Sequence, residues 1–319
     1  MTPESSPLAS VTVDMDGLDC YTAIHGLPLP TGQYDPVFTI ALRRFLDLFQ
    51  EFNIKATFFC IGKDLHNPAH ADLFRSAVER GHELANHSYS HLYNLRAHPI
   101  DLIRSEIIRA AELIEAISGL PPVGFRTPGY NISPDISRTL KQLGYLYDSS
   151  LFPCPPYFLA KGAVMSLMRL KRQPSRSQMN LPLTLSSPTS LFLADPHAPW
   201  RRVSPLHHPD AGIWEVPMCV LPGIRFPIIG TSLHLLGEAG ISAIFPLLSL
   251  AYPRLLQLEF HGIDLLDASD PGIPHQLFTL QHDLPIPLER KHRTYRSLFS
   301  RAASQYTFMT LADAVRRLS

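Results

Sequence analysis

Residues 9–17, ASVTVDMDG, alternate apolar and polar side chains with the period of two expected of a strand, and the pattern breaks at Gly17. PVFTIALRRFLDLFQEF (36–52) then brings Val37, Ile40, Ala41, Phe45, Leu48, Phe49 and Phe52 onto one face of an amphipathic helix with Pro36 at its start. KATFFCIG (55–62) reads as a buried strand. A helix near 68–80 ends at Gly81, and residues 99–118 form the longest helical pattern, stopped by Gly119 and two prolines. VGFRTPG (123–129) is a strand running into a turn. SPDISRTLKQLG (133–144) has a Ser N-cap, Pro at the first helical position and Gly at the end, and YLYDSS (145–150) is the next strand.

Strand and helix thus alternate about four times in the first ~150 residues, the pattern of a parallel α/β fold, either a barrel or a doubly wound sheet. In both, reactive groups collect at the C-terminal ends of strands, and Asp14, Asp16, His87, Arg126 and Asp148 all fall there. The regularity fails from Leu151 to about Pro222. The expectation is one domain over residues 1–319 with an irregular, proline-rich insertion at 151–222. Order resumes with GIWEVPM (212–218), the strand LLQLEFHG (255–262), a helix near 287–304 and a last strand–helix pair.

Hydrophobic residues make up 45% of the 319 and charged residues 18%, enough apolar side chains for a large core. The formal net charge of zero gives no global attraction to nucleic acid. The N-terminal MTPESSPLAS lacks a basic-then-apolar leader pattern, and uncharged runs such as 239–253 fall short of the ~18 apolar residues of a membrane span. These features predict a cytoplasmic protein. Cys20, Cys60, Cys154 and Cys219 form no C-x-x-C pair and read as unpaired thiols.

Candidate chemistry centres on HELANHSYSHLYNL (82–95). His87 and His91 are four apart, so on a helical turn their imidazoles would converge on one ion. Ser88 stands where an H-E-x-x-H metalloprotease needs its glutamate, which excludes that class. A catalytic metal site commonly has three protein ligands, and Asp14 and Asp16 offer one carboxylate for the ion and one as base. Arg126 could hold the second carboxylate and His261 could donate a proton, while His82 reads as structural.

VDMDG, HSYSH, FRTPGY, YDSS and LEFHG, in that order, with ATFFCIG between the first two, resemble the motifs of the polysaccharide deacetylases of the NodB-homology family (carbohydrate esterase family four). The likeness covers residues 10–150 and recovers around 255–265. It implies a distorted (β/α)7 barrel and a metal-dependent hydrolase that removes an acetyl or formyl group from an amino sugar. Carried over, Asp16, His87 and His91 would bind one divalent metal, with zinc the first expectation and Mn, Fe, Co or Ni also suited. Asp14 would be the general base oriented by Arg126, His261 the general acid, and Asp148 an acid tuning that histidine. The Tyr130 backbone N–H would help hold the oxyanion.

Met15 separates the two acids, as in a D-x-D branch resembling peptidoglycan-deacetylase-like and sugar-lipid-deformylase-like members. The insertion carries Lys161, Arg169, Lys171, Arg172 and Arg176, with no Asp or Glu between Ser149 and Ala194. One reading is a solvated loop over the barrel. The other is a patch meeting anionic lipid at the inner membrane face, with a lipid-linked sugar as substrate. Tyr130, Tyr147, Phe152, Tyr157 and Trp214 are candidate sugar platforms. The alternatives are a hydrolase of a small non-sugar amide and a catalytically silent carbohydrate-binding barrel.

Overall fold

The computed structural model describes residues 6–29, 34–170, 187–203 and 212–319. The first half follows the alternation read from the sequence: β1 (Leu8–Asp14), α1 (Leu18–Ile24), α2 (Leu42–Glu51), β2 (Thr57–Cys60), α3 (Pro68–Glu79), β3 (Glu83–Asn86), α4 (Ile100–Ser118), β4 (Gly124–Phe125), α5 (Pro134–Gln142) and β5 (Tyr147–Asp148). Local chemistry sets the boundaries. The Asn67 side chain accepts from the Ala69 N–H ahead of α3, Ser133 does the same for the Ile136 N–H ahead of α5, and Gly119 ends α4 at φ 76°.

The second half contains α6 (Pro155–Leu170), β6 (Phe192–Asp195), β7 (Ala198–Arg202), β8 (Ile213–Glu215), β9 (Val220–Leu221), β10 (Phe226–Pro227), α7 (Gly230–Ala251), β11 (Leu255–His261), α8 (Leu277–Leu280), α9 (Leu288–Ala303), β12 (Thr307–Phe308) and α10 (Leu311–Leu318). The segment 151–222 is therefore not irregular throughout. It supplies a 16-residue helix, an antiparallel hairpin and β8, which joins the main sheet beside β5. Lys171, Arg172, Arg176 and the 206–209 histidine pair lie outside the described residues.

The main sheet runs β11-β1-β2-β3-β4-β5-β8-β6-β7, and the seven neighbours from β11 to β8 are parallel. This is the distorted (β/α)7 barrel. β8 and β11 do not pair among the described residues, and a lone bridge from Ile229 to Glu259 extends β11 on that side.

β1 shows how the barrel is filled. Ala9, Val11 and Val13 pack outward into the main core with Phe45, Phe49, Phe58 and Phe260. The alternate residues Ser10, Thr12 and Asp14 are also fully buried, facing an interior that is polar along this wall. Gln257 Nε2 donates to Thr12 Oγ1 at 2.9 Å, and Thr12 Oγ1 donates to the Leu258 carbonyl at 3.3 Å.

Helix α7 revises one expectation. At 22 residues it is long and apolar enough, by length and composition alone, to cross a membrane. Its Leu233, Ile241, Phe245 and Leu248 are buried in the main core, whereas Leu235, Leu247 and Leu250 are exposed, and Gly237 at φ 59° breaks its regularity.

Candidate active site

The polar ends of β1, β3, β4 and β11 meet at one cavity of about 350 Å³, lined among others by Asp14, Asp16, His87, Tyr130 and His261. The D-x-D spacing explains how two acids reach it together. Residues two apart on an extended chain point the same way, so Asp14 and Asp16 face the cavity while the intervening Met15 is buried beside Gly262.

The expected helical turn at 87–91 is absent. The histidines leave the end of β3 in a loop in which Ser88 has φ 63° and His91 φ 55°. That conformation is unfavourable for residues other than glycine, and the loop is held by a dense set of bonds. Asn86 Oδ1 accepts from the Ser88 N–H at 2.8 Å, Ser88 Oγ from the His91 N–H at 3.2 Å, and buried Glu106 from both the N–H and the hydroxyl of Ser90. Loop geometry, not helical periodicity, converges the two rings.

His87 Nδ1–H donates to the Arg126 carbonyl at 2.7 Å, which turns Nε2 and its lone pair inward. His91 Nδ1 lies 3.5 Å from Cys20 Sγ, leaving its Nε2 facing Asp16. Asp16 Oδ1 is 3.5 Å from His87 Nε2 and 3.3 Å from His91 Nε2. Both Asp16 Oδ1 and His91 Nε2 are buried without a hydrogen-bond partner among the described residues. Such orphaned atoms are costly unless something else satisfies them. One carboxylate and two imidazole nitrogens within 4.8 Å of one another fit a divalent metal ion.

The charges of the cluster are coupled: Asp14 and Asp16 outweigh burial and raise the His87 imidazole. Burial pushes the Asp16 carboxyl up, but His91 and His87 outweigh it and hold it well below the usual carboxylate range. Burial lowers His91 to about 4, so its ring is neutral and its lone pair available.

Asp14 does not share that cluster. Its Oδ1 accepts from Arg126 Nη1 at 2.5 Å, and its Oδ2 lies 3.9 Å from His87 Nε2. Arg126 is fully buried and held on every side: Nε donates to the Ser149 carbonyl at 2.8 Å, Nη2 to Ser149 Oγ at 2.9 Å, and the guanidinium stacks 4.1 Å over the Phe59 ring.

His261 ends β11 opposite Asp14 in the parallel register. Burial alone would lower its pKa, yet the carboxylates of Glu259, Asp14, Asp16 and Asp264 together push it up to about 9. It is therefore protonated at neutral pH, as a proton donor must be.

Two expectations are corrected. Asp148 does not tune His261: it sits opposite Glu215 in the β5–β8 register and accepts from Ser150 Oγ at 2.6 Å. Burial raises both carboxyls of this pair, with Glu215 pushed furthest. The Tyr130 N–H donates to the Thr127 carbonyl at 3.0 Å within its turn, so an oxyanion would have to compete with that bond. The Tyr130 hydroxyl instead donates to Glu259 Oε1 at 2.5 Å.

Of the aromatic candidates, Tyr130 and Tyr157 line the cavity, whereas Phe152 packs behind them and the Tyr147 hydroxyl donates to Glu83. His82 is structural as expected, its Nδ1 accepting from the Ala56 N–H at 2.9 Å. Sequence reasoning missed Glu259, Cys20, Tyr93, His25 and Asp283. Only Glu259 carried a usable signal, two residues before His261 on the same strand face.

A family model described as polysaccharide deacetylase matches residues 34–147. A peptidoglycan deacetylase of Helicobacter pylori is 27% identical over 129 residues, 39% of this chain and 42% of that protein. A peptidoglycan-N-acetylglucosamine deacetylase of Bacillus cereus is 31% identical over 112 residues, 35% of this chain and 49% of that protein. The match spans less than half the length of either curated relative. Among solved structures, a candidate polysaccharide deacetylase of Mycobacterium smegmatis superposes with a TM-score of 0.56 at 18% identity, over 99% of this chain and 92% of that one. Puue allantoinase superposes at 0.58 and 14% identity, over 98% and 91%. These two likenesses speak to the fold. Residues 34–147 are thus similar to the polysaccharide deacetylase family, and the motifs and the seven-stranded parallel barrel agree with that likeness.

Proposed function

We propose that this protein is a metal-dependent hydrolase that removes an N-acyl group, acetyl or formyl, from an amino sugar, with a lipid-linked sugar as the favoured substrate. The observation that carries the reading is the meeting, at one cavity, of the Asp16–His87–His91 cluster, the arginine-held Asp14 carboxylate and the His261 imidazole.

Asp16, His87 and His91 would hold the ion, zinc being the first expectation for this donor set. When bound, the ion supplies Lewis-acid polarisation of the amide carbonyl and makes water more acidic. Asp14 accepts the proton as the water oxygen bonds to the acyl carbon, and Arg126 keeps that carboxylate aimed at the cavity. As the carbon–nitrogen bond breaks, His261 gives its proton to the nitrogen, because an amide nitrogen leaves poorly as an anion. The products are a carboxylic acid and a free amine.

The lipid-linked reading rests on α6. Its Tyr157, Ala160, Lys161, Val164, Met165 and Met168 form one wall of the cavity. Leu159, Leu167 and Leu170 on the same helix are exposed, so an apolar surface continues from the cavity to the outside. Burial lowers Lys161 to about 8, leaving it mostly charged at neutral pH and able to meet a phosphate at that wall. Peripheral contact with anionic membrane at its inner face belongs to this proposal.

The test measures metal content and amine release together for wild type, Asp14→Asn and His91→Ala, with N-acetylated sugar oligomers and a formylated sugar-lipid mimic. Wild type should release amine, Asp14→Asn should keep metal and lose activity, and His91→Ala should lose both. A wild-type protein that binds no stoichiometric metal with any of the candidate ions would overturn the mechanism. Failure to sediment with anionic liposomes at low salt would remove the membrane part.

A further inference from the structure

Glu259 stands two residues before His261 on β11, so both side chains point into the barrel. It is fully buried, and its Oε2 has no hydrogen-bond partner among the described residues. Its Oε1 accepts from the Tyr130 hydroxyl at 2.5 Å and lies 3.8 Å from His261 Nε2. The same hydroxyl is 3.2 Å from His261 Nε2, so the phenol oxygen receives the imidazolium N–H while its own hydrogen goes to the carboxylate. Burying a carboxylate is costly unless it is paired, and here it is placed where it acts on the proposed proton donor.

We propose that Glu259 is the positioning residue of His261, acting through the Tyr130 hydroxyl to orient the ring and to hold its proton. The inference rests on the reading of His261 as general acid. The arrangement assigns to Tyr130 a side-chain role distinct from its backbone N–H, and to β11 both the acid and the group that holds it. Other charges face His261: Asp14 and Asp16 from the end of β1, and Asp264 from the turn after β11, whose Oδ2 accepts from the His261 backbone N–H at 2.8 Å. Arg126, from the end of β4, draws on Glu259, for which burial is the larger, raising influence. Asp14 and Asp16 remain in a Glu259 variant, so the contribution of Glu259 is separable.

The experiment is a histidine NMR titration of the metal-free full chain, which needs no catalytic turnover. His261→Gln identifies the His261 signal among the fifteen histidines. In wild type that signal should titrate near 9. In Glu259→Gln, which keeps the shape and removes the charge, the midpoint should fall by about 1–3 pH units, the usual effect of losing a close opposite charge. Tyr130→Phe should lower it by less. With loaded enzyme, the alkaline limb of kcat/KM should move down by the same amount as the midpoint. A Glu259→Gln protein that melts lower but leaves the midpoint unmoved would make Glu259 merely structural and overturn the proposal. So would loss of a stoichiometric metal equivalent in Glu259→Gln, which would make it a ligand. If wild type proves inactive while the midpoint still shifts, positioning stands and the acid role in hydrolysis fails.

Discussion

Arg126 Nη1 meets Asp14 Oδ1 at 2.5 Å, and both side chains are buried. Lysine cannot replace this arginine, because one guanidinium serves Asp14, Thr12 and Ser149 and stacks on Phe59 at once. Arg126→Lys should lower kcat by about 10²–10³-fold with metal content unchanged, since what is lost is the aim of a general base. Steady-state kinetics alongside metal analysis checks this. Loss of metal in the same variant would place Asp14 among the ligands.

Metal binding should be visible as stability. The ligand atoms are assembled only in the folded chain, so an ion at 100 times its Kd should stabilise by ~2.7 kcal/mol and raise the Tm by roughly 4 °C. Adding ion to chelator-treated wild type and Asp14→Asn should give this rise. His91→Ala and Asp16→Asn should show little of it. An equal rise in all four proteins would mean the ion binds elsewhere.

His82 should make the fold acid-sensitive. Burial holds it near 4 in the folded chain, against about 6.5 when unfolded. The unfolded state therefore takes up the proton first. The stability is fully present above about pH 6.5 and declines as pH falls towards 4, by about 1–2 kcal/mol between pH 7 and 5. Buried His234, lowered to about 3, acts in the same direction. Urea melts at the two pH values measure the sum, and His82→Asn should lose its own share. An unchanged slope in that variant would refute the assignment.

Gly124 lies two residues before Arg126, and a Cβ there would come 2.0 Å from Tyr147 Cζ. Gly124→Ala must push aside a fully buried ring whose hydroxyl donates to Glu83 at 2.8 Å. It should destabilise by about 1–3 kcal/mol. Denaturant unfolding of this variant beside Gly144→Ala, where the added Cβ would meet no described atom within 4 Å beyond its chain neighbours but φ is 79°, separates the steric cost from backbone strain.

Much of the candidate site was legible because its signals are local. The alternation ending at Asp14 and Asp16, the His87–His91 spacing and the strand before His261 each lie within a few residues of chain. Parallel strands then bring their C-terminal ends together, so a one-dimensional pattern implied a three-dimensional cluster. The histidines reach their places by a left-handed loop rather than a helical turn, because the bonds of Asn86, Ser88 and Glu106 outweigh the helical preference.

By itself the sequence determined the strand–helix order, which side chains make up the candidate site and the end of the barrel at which they gather. Hydrophobic period and capping chemistry act over one or two turns and need no distant partner. Which carboxylate serves which histidine was decided only in the folded chain. Asp148 turned to Glu215 when β8 came alongside β5, and Glu259 reached His261 through Tyr130, 129 positions away from the carboxylate. Such pairings depend on which buried groups lack water and must satisfy one another, and that is settled by tertiary contact.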